Sequence, residues 1–268
     1  MGWNPENIAG GIGAANGPKG SVPQQRIREK VDDYMSRRDY DGVERHLKYW
    51  LEEARMLGDL RGQLMIRNEL VGHYRKVGNR EGAFESADDA IRLLGELEYG
   101  GSISAGTTYV NIATAYNAFQ ENEKSLELFE KARAVYEAID GTPPELLGGL
   151  YNNMALTCAA LGKFDEAEAL YDKAMERMAY APNGVLEQAI TCLNRANVIE
   201  MRDGIEAGES RINELVEEAQ MLLDTPSVPR DGYYAFVCEK CAPSFEYYGY
   251  FLVAEDLKER SKKLYERG

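Results

Sequence analysis

The sequence predicts an all-α chain built from stacked antiparallel helix pairs, an α-α superhelix of about five clear pairs and one degenerate C-terminal pair. Three observations carry this. A pattern of small and aromatic residues returns roughly every 42 positions. Inside each copy the apolar residues fall at i, i+3, i+4 and i+7, with one short Gly or Asp interruption. No stretch alternates apolar and polar residues as a half-buried strand would.

The period is read by aligning "NMALTCAALGKFDEAEALYDKAM" with "NIATAYNAFQENEKSLELFEKAR". Asn153 then falls on Asn111, Ala155 on Ala113, Tyr171 on Phe129 and Ala174 on Ala132. Upstream, "LVGHYRKVGNREGAFESADDAI" sets Gly78 two steps before Gly162, and "VDDYMSRRDYDGVERHLKYW" supplies a first copy. Downstream, "NRANVIEM" sets Asn194 on Asn153. A degenerate sixth copy matches Gly249, Phe251 and Ala254 to Gly162, Phe164 and Ala167. Units this small cannot bury an apolar face alone, so neighbours must stack.

The breakers agree with that division. "LEYGGSISAG", "DGTPPE", "APNG" and "DTPSVPRDG" fall between units, where a helix must stop. They read as loops inside one domain over residues 25–268, preceded by a Gly-rich flexible leader over 1–24. Within that leader "GGIGAANG" nearly spells a dinucleotide fingerprint, but Asn16 stands where the third glycine belongs and no strand precedes it.

Composition narrows the function classes. With 45 acidic against 31 basic residues the formal charge is −14, which argues against nucleic acid and an anionic membrane surface as partners. No segment is apolar and long enough to span a bilayer, and the N-terminus lacks the basic and apolar regions of a secretory signal. Four cysteines in 268 residues make no disulfide framework, so a reducing cytoplasm is expected.

Residues for catalysis are not in evidence. His46 and His73 lie in different repeats without a metal-ligand spacing. "CEKC" at Cys238 and Cys241 has a helical context that lacks the strand of a redox motif, and reads as core. The carboxylates sit on outer helix faces with i,i+4 partners, as in "ENEKSLELFEKARAVYEA". The chain is expected to be no enzyme, with no cofactor and no metal. Among the 17 tyrosines, Tyr34, Tyr74 and Tyr116 hold a helix-packing position, and the cluster "GYYAFVCEKCAPSFEYYGYF" divides between core and a groove.

The stretch Gly162-Lys163-Phe164-Asp165-Glu166-Ala167, followed by Tyr171 and Ala174, resembles the tetratricopeptide repeat. The longer period is similar to the repeats of kinesin light chains and of bacterial peptide-pheromone receptors. The resemblance covers roughly residues 25–268. It implies a protein-binding or peptide-binding scaffold whose first helices line a concave groove. It also implies that an Asn on that helix contacts the backbone of a bound peptide, which an amide's paired donor and acceptor suits. Asn111, Asn153 and Asn194, each two residues before a small packing alanine, are the candidates. Lys240 holds the place in the sixth copy, with a charge for an acidic side chain or a C-terminal carboxylate. In the second copy Glu69 holds it, with Asn68 one residue earlier.

Departures from the known subclasses bear on the reading. A carboxylate clamp would need Asn where Glu69 stands, and 24 leading residues are too few for an appended DNA-binding domain. Two other uses stay open: bridging of neighbouring helices by the asparagines, and a structural, accessory or self-associating subunit with no peptide ligand. A peptide-responsive regulator is a further variant. The partner is expected to be a protein or peptide segment, and the oligomeric state is open.

Overall fold

The computed structural model describes residues 20–266, which form twelve α-helices with no strand among them. The Gly11–Asn16 stretch and Trp3 lie outside the described residues. The helices group into two compact units divided between Leu97 and Glu98.

The first unit holds α1 (Gln24–Ser36), α2 (Tyr40–Leu57), α3 (Leu60–Val77) and α4 (Arg80–Glu96). Each of its inter-helix stops is encoded locally. Asp39, Asp59 and Asn79 accept hydrogen bonds from the amides of Gly42, Gly62 and Gly82 at 2.8, 2.9 and 3.0 Å, capping α2, α3 and α4. Asp59 is buried because its second oxygen also takes the Val22 amide at 2.9 Å, which ties the segment before α1 to the start of α3. Arg67 of α3 is buried and charge-paired with Asp89 of α4, so its desolvation is compensated inside the helix pair.

The second unit holds α5 (Ile103–Ala118), α6 (Asn122–Ala138), α7 (Pro144–Ala160), α8 (Phe164–Met178), α9 (Gly184–Asp203), α10 (Ile205–Leu223), α11 (Gly232–Tyr247) and α12 (Phe251–Tyr265). The first helix of each pair packs on its own second helix and on the first helix of the next pair. Two layers result: α5, α7, α9 and α11 side by side, and their partners behind them. Small residues allow the close approach. Ala113, Ala132, Ala155, Ala167 and Ala174 are completely buried. A Cβ at Gly106 would overlap the Tyr136 ring, and one at Gly148 would meet Met178 at 2.7 Å.

Each turn inside a pair contains one residue in the left-handed region: Arg38, Gly78, Gln120, Gly162, Gly204 and Gly249, with φ between 57° and 87°. From Gly78 to Gly204 each stands 42 residues from the last (78, 120, 162, 204). The sequence period is therefore a conformational period, in which one residue per unit reverses the chain. Glycine meets that demand without strain, whereas Arg38 and Gln120 meet it at a cost of roughly 1 kcal/mol each.

One helix breaks a local rule. Pro243 lies in the interior of α11, where a proline removes an intrahelical hydrogen bond at a cost of about 3 kcal/mol or more. No described helix is long and apolar enough to cross a membrane.

Candidate peptide-binding face

The open face of the first layer in the second unit comes from helix geometry. At about 100° per residue, positions i, i+4, i+7 and i+11 form one strip. On α7 that strip is Gly149, Asn153, Leu156 and Ala160, half-buried or exposed on a helix otherwise mostly buried. On α11 the equivalent strip is Phe236, Lys240, Pro243 and Tyr247, all exposed. Asn111 on α5 and Asn194 on α9 occupy the same strip position as Asn153, and each is half-buried.

The sequence candidates thus divide. Asn111, Asn153, Asn194 and Lys240 share one position on four neighbouring first helices. Among the described residues the side-chain amides of Asn153 and Asn194 have no hydrogen-bond partner. Asn68 belongs to the first unit, where its Nδ2 donates to the Leu64 carbonyl at 3.1 Å. Next to it, Glu69 faces Arg28 at 3.5 Å, and burial pushes its carboxyl above the ordinary range against the pull of that cation.

The neighbouring asparagine has another task. Asn152 is buried, and its Oδ1 accepts from Thr191 of α9 at 3.0 Å. One pair earlier, Asn117 of α5 donates to Thr157 of α7 at 3.0 Å. Helix bridging by amides is real in this chain, and Asn152 and Asn117 perform it from the sides of the first helices. Their partners lie about 40 residues away in sequence, which is why the pairing was not readable there.

The face changes character along the layer. On α5 and α7 it carries Thr107, Thr114 and Gly149, whereas on α9 and α11 it carries Met201, Phe236 and Tyr247, exposed by 49, 48 and 63%. Glu200 of α9 accepts from Tyr247 at 2.5 Å and Tyr248 at 3.1 Å, which anchors the aromatic end. Both phenols are held above the ordinary range, Tyr248 first by burial and Tyr247 first by its hydrogen bond to Glu200. Where α7, α9 and α11 begin, Glu145, Gly149, Asn183, Glu187 and Tyr233 border a recess of about 330 Å³. Tyr233 donates its hydroxyl hydrogen bond to Glu187 there.

Two residues on this face were missed by sequence reasoning. Neither Gly149 nor Pro243 stands out from the repeat pattern alone. The available signals were a second glycine beyond the one that packing requires, and a proline inside a helical period.

Comparison with known proteins agrees with this architecture. Residues 106–139 and 148–178 match the tetratricopeptide-repeat family model and coincide with the α5–α6 and α7–α8 pairs. No curated protein sequence matches the chain. Among solved structures, one similar fold is a kinesin-light-chain-like protein of Podosopora anserina with nearly identical TPR-like repeats. It has a TM-score of 0.61 and 17% identity over 76% of this chain and 97% of that one. BtubC (BKLC) from P. vanneervenii has a TM-score of 0.56 and 17% identity over 90% and 91%. A Rap protein complexed with Competence and Sporulation Factor has a TM-score of 0.54 and 12% identity over 91% and 75%. At these identities the likeness is one of fold. The chain carries tetratricopeptide repeats in α5–α6 and α7–α8, and over the remaining helix pairs the likeness is one of fold.

Proposed function

We propose that the open face of the second unit captures an extended peptide segment of a protein partner. The observation that carries this is the repeated position of Asn111, Asn153 and Asn194, with the Asn153 and Asn194 amides unpartnered among the described residues. Asn is a poor helix former, so three of them in one register without a helix-bridging bond at the latter two ask for a purpose outside the helices. An amide pairs with a peptide backbone in either direction and tolerates any side chains, which suits a scaffold better than a discriminating enzyme site. Lys240, between Phe236 and Tyr247, adds a cation with apolar flanks for a carboxylate on the segment. The likeness to a Rap protein solved with Competence and Sporulation Factor supports the same reading. Four buried free thiols suit a reducing cytoplasm.

The test uses peptides selected on the wild-type protein from a displayed random library and then synthesised with a fluorescent label. Asn111→Ala with Asn153→Ala is expected to weaken their binding at least about tenfold, for two lost backbone contacts, while thermal unfolding moves little. Asn152→Ala is expected to do the reverse, costing about 1 kcal/mol of stability through the lost Thr191 bridge and leaving affinity unchanged. If the double variant unfolds, or binds as wild type, the asparagines are not ligand contacts.

A further inference from the structure

Two residues on the open face weaken the helices that carry them, and the fold itself gives neither a reason. Gly148 and Gly149 are adjacent, but only Gly148 is explained by packing, since a Cβ there would strike Met178. A Cβ at Gly149 would meet nothing within 4 Å. Its counterpart one repeat earlier is Thr107, so the position accepts a side chain. Gly149 therefore gives up helix propensity and leaves the open face of α7 flat beside the recess.

Pro243 does the complementary thing on α11. Having no amide hydrogen, it leaves the Glu239 carbonyl without its intrahelical donor. The exposed residues of α11 (Phe236, Glu239, Lys240, Pro243, Glu246 and Tyr247) form one continuous sector, and Pro243 lies inside it. The freed carbonyl belongs to Glu239, a residue of that exposed sector and the neighbour of Lys240. A donor from Lys240 and an acceptor from Glu239 are together what Asn111, Asn153 and Asn194 each supply with one amide. The last helix of the layer thus keeps the same hydrogen-bonding pair by different means.

We infer that this face reads the main chain of the captured segment. The segment's backbone lies against α7 at Gly149, and one of its N–H groups donates to the Glu239 carbonyl that Pro243 leaves free. The inference rests on the peptide-binding reading above. From α7 to α11 is two helix spacings of about 9 Å, crossed by roughly six residues of extended chain. The ligand class is accordingly an extended segment of at least that length, recognised by its backbone and not by one side chain.

The two variants have an unusual signature, because they should strengthen the fold and weaken the function. Gly149→Ala and Pro243→Ala are each expected to raise the melting temperature by about 2 °C or more. Each should also loosen the selected peptides by about three- to tenfold. A backbone N-methyl scan of one such peptide then isolates the hydrogen bond. Methylation at one position should weaken binding to the wild type by the same factor as Pro243→Ala weakens the unmodified peptide, and should cost nothing further in the Pro243→Ala variant. If Asn153→Ala weakens binding while Gly149→Ala and Pro243→Ala bind as wild type, the peptide reading stands and this inference falls. Additive losses from methylation and Pro243→Ala also overturn it. If no variant on the face changes affinity, or the library yields no binder, the peptide-binding reading itself fails.

Discussion

The α7–α8 and α11–α12 pairs share a backbone plan and differ in what they show to their surroundings. On α8 the position four residues after Ala167 is Tyr171, completely buried. Phe129 of α6 and Ile212 of α10 are buried at the same place. On α12 that place is Lys258, exposed and ion-paired with Glu246 of α11. Four residues further on, half-buried Met175 of α8 is answered by exposed Lys262. The interior pair thus presents an apolar flank for the next pair to cover, and the last described pair sets Lys258 and Lys262 on the same flank between exposed Phe251 and Tyr265. One period can thus carry either a buried apolar residue or an exposed lysine at the same packing position.

The largest effect that separates the two pairs should come from that position. Tyr171→Ala is expected to cost about 3–5 kcal/mol in urea unfolding, because its cavity lies inside a closed layer. Lys258→Ala should cost less than about 1 kcal/mol, since it loses only an exposed ion pair. The Tyr171 hydroxyl has no hydrogen-bond partner among the described residues, so Tyr171→Phe should be close to neutral. Comparable losses for Tyr171→Ala and Lys258→Ala would erase the distinction between the two pairs at this position.

A smaller effect tests what the two pairs have in common. Burial pushes the thiol of Cys158 on α7 up to about 11 and that of Cys241 on α11 up to about 12, from an ordinary value of 9.0. Unfolded chains release these protons near pH 9 while the folded chain keeps them. Stability is therefore fully present below that pH and declines as pH rises through 9 toward 11 and 12. The urea midpoint should already fall between pH 9 and 10, before ordinary tyrosines ionise. Cys158→Ala with Cys241→Ala should flatten that slope, and an unchanged slope would show that the thiols are not its source.

The smallest effect concerns the turns. Gln120→Gly is expected to stabilise the second unit by about 0.5–1 kcal/mol, relieving a left-handed residue that lacks glycine's freedom. Gly162→Ala in the α7–α8 turn should destabilise by a similar amount, because its φ is 73°. Calorimetry on the two variants measures both.

These contrasts show what the sequence could reveal. Helix pairing was legible because small and aromatic residues repeat at the packing positions, so Ala132, Ala155 and Ala174 are buried where the period placed them. Three reversing residues were legible as the matched glycines Gly78, Gly162 and Gly249, while Gly204 emerged only from the structure and Arg38 and Gln120 carry no such mark. Asn153 was readable as a repeated residue on an open strip. The task of Asn152 was not, because it depends on Thr191 on a helix one pair away. Lys258 announces itself only by comparison with Phe129, Tyr171 and Ile212, and that comparison needs the packing to say which flank faces a neighbour.

The turns also differ from the connections in how much length they tolerate. Turns within a pair take one to three residues, as at Gly204 between α9 and α10 and at 161–163 between α7 and α8. Connections between pairs run from two residues at 58–59 to eight at 224–231. Insertions and deletions can therefore accumulate between pairs without disturbing a helix register, which makes each pair a cassette. A tag, a cleavage site or a reporter placed in 224–231 would sit at a seam the architecture already stretches.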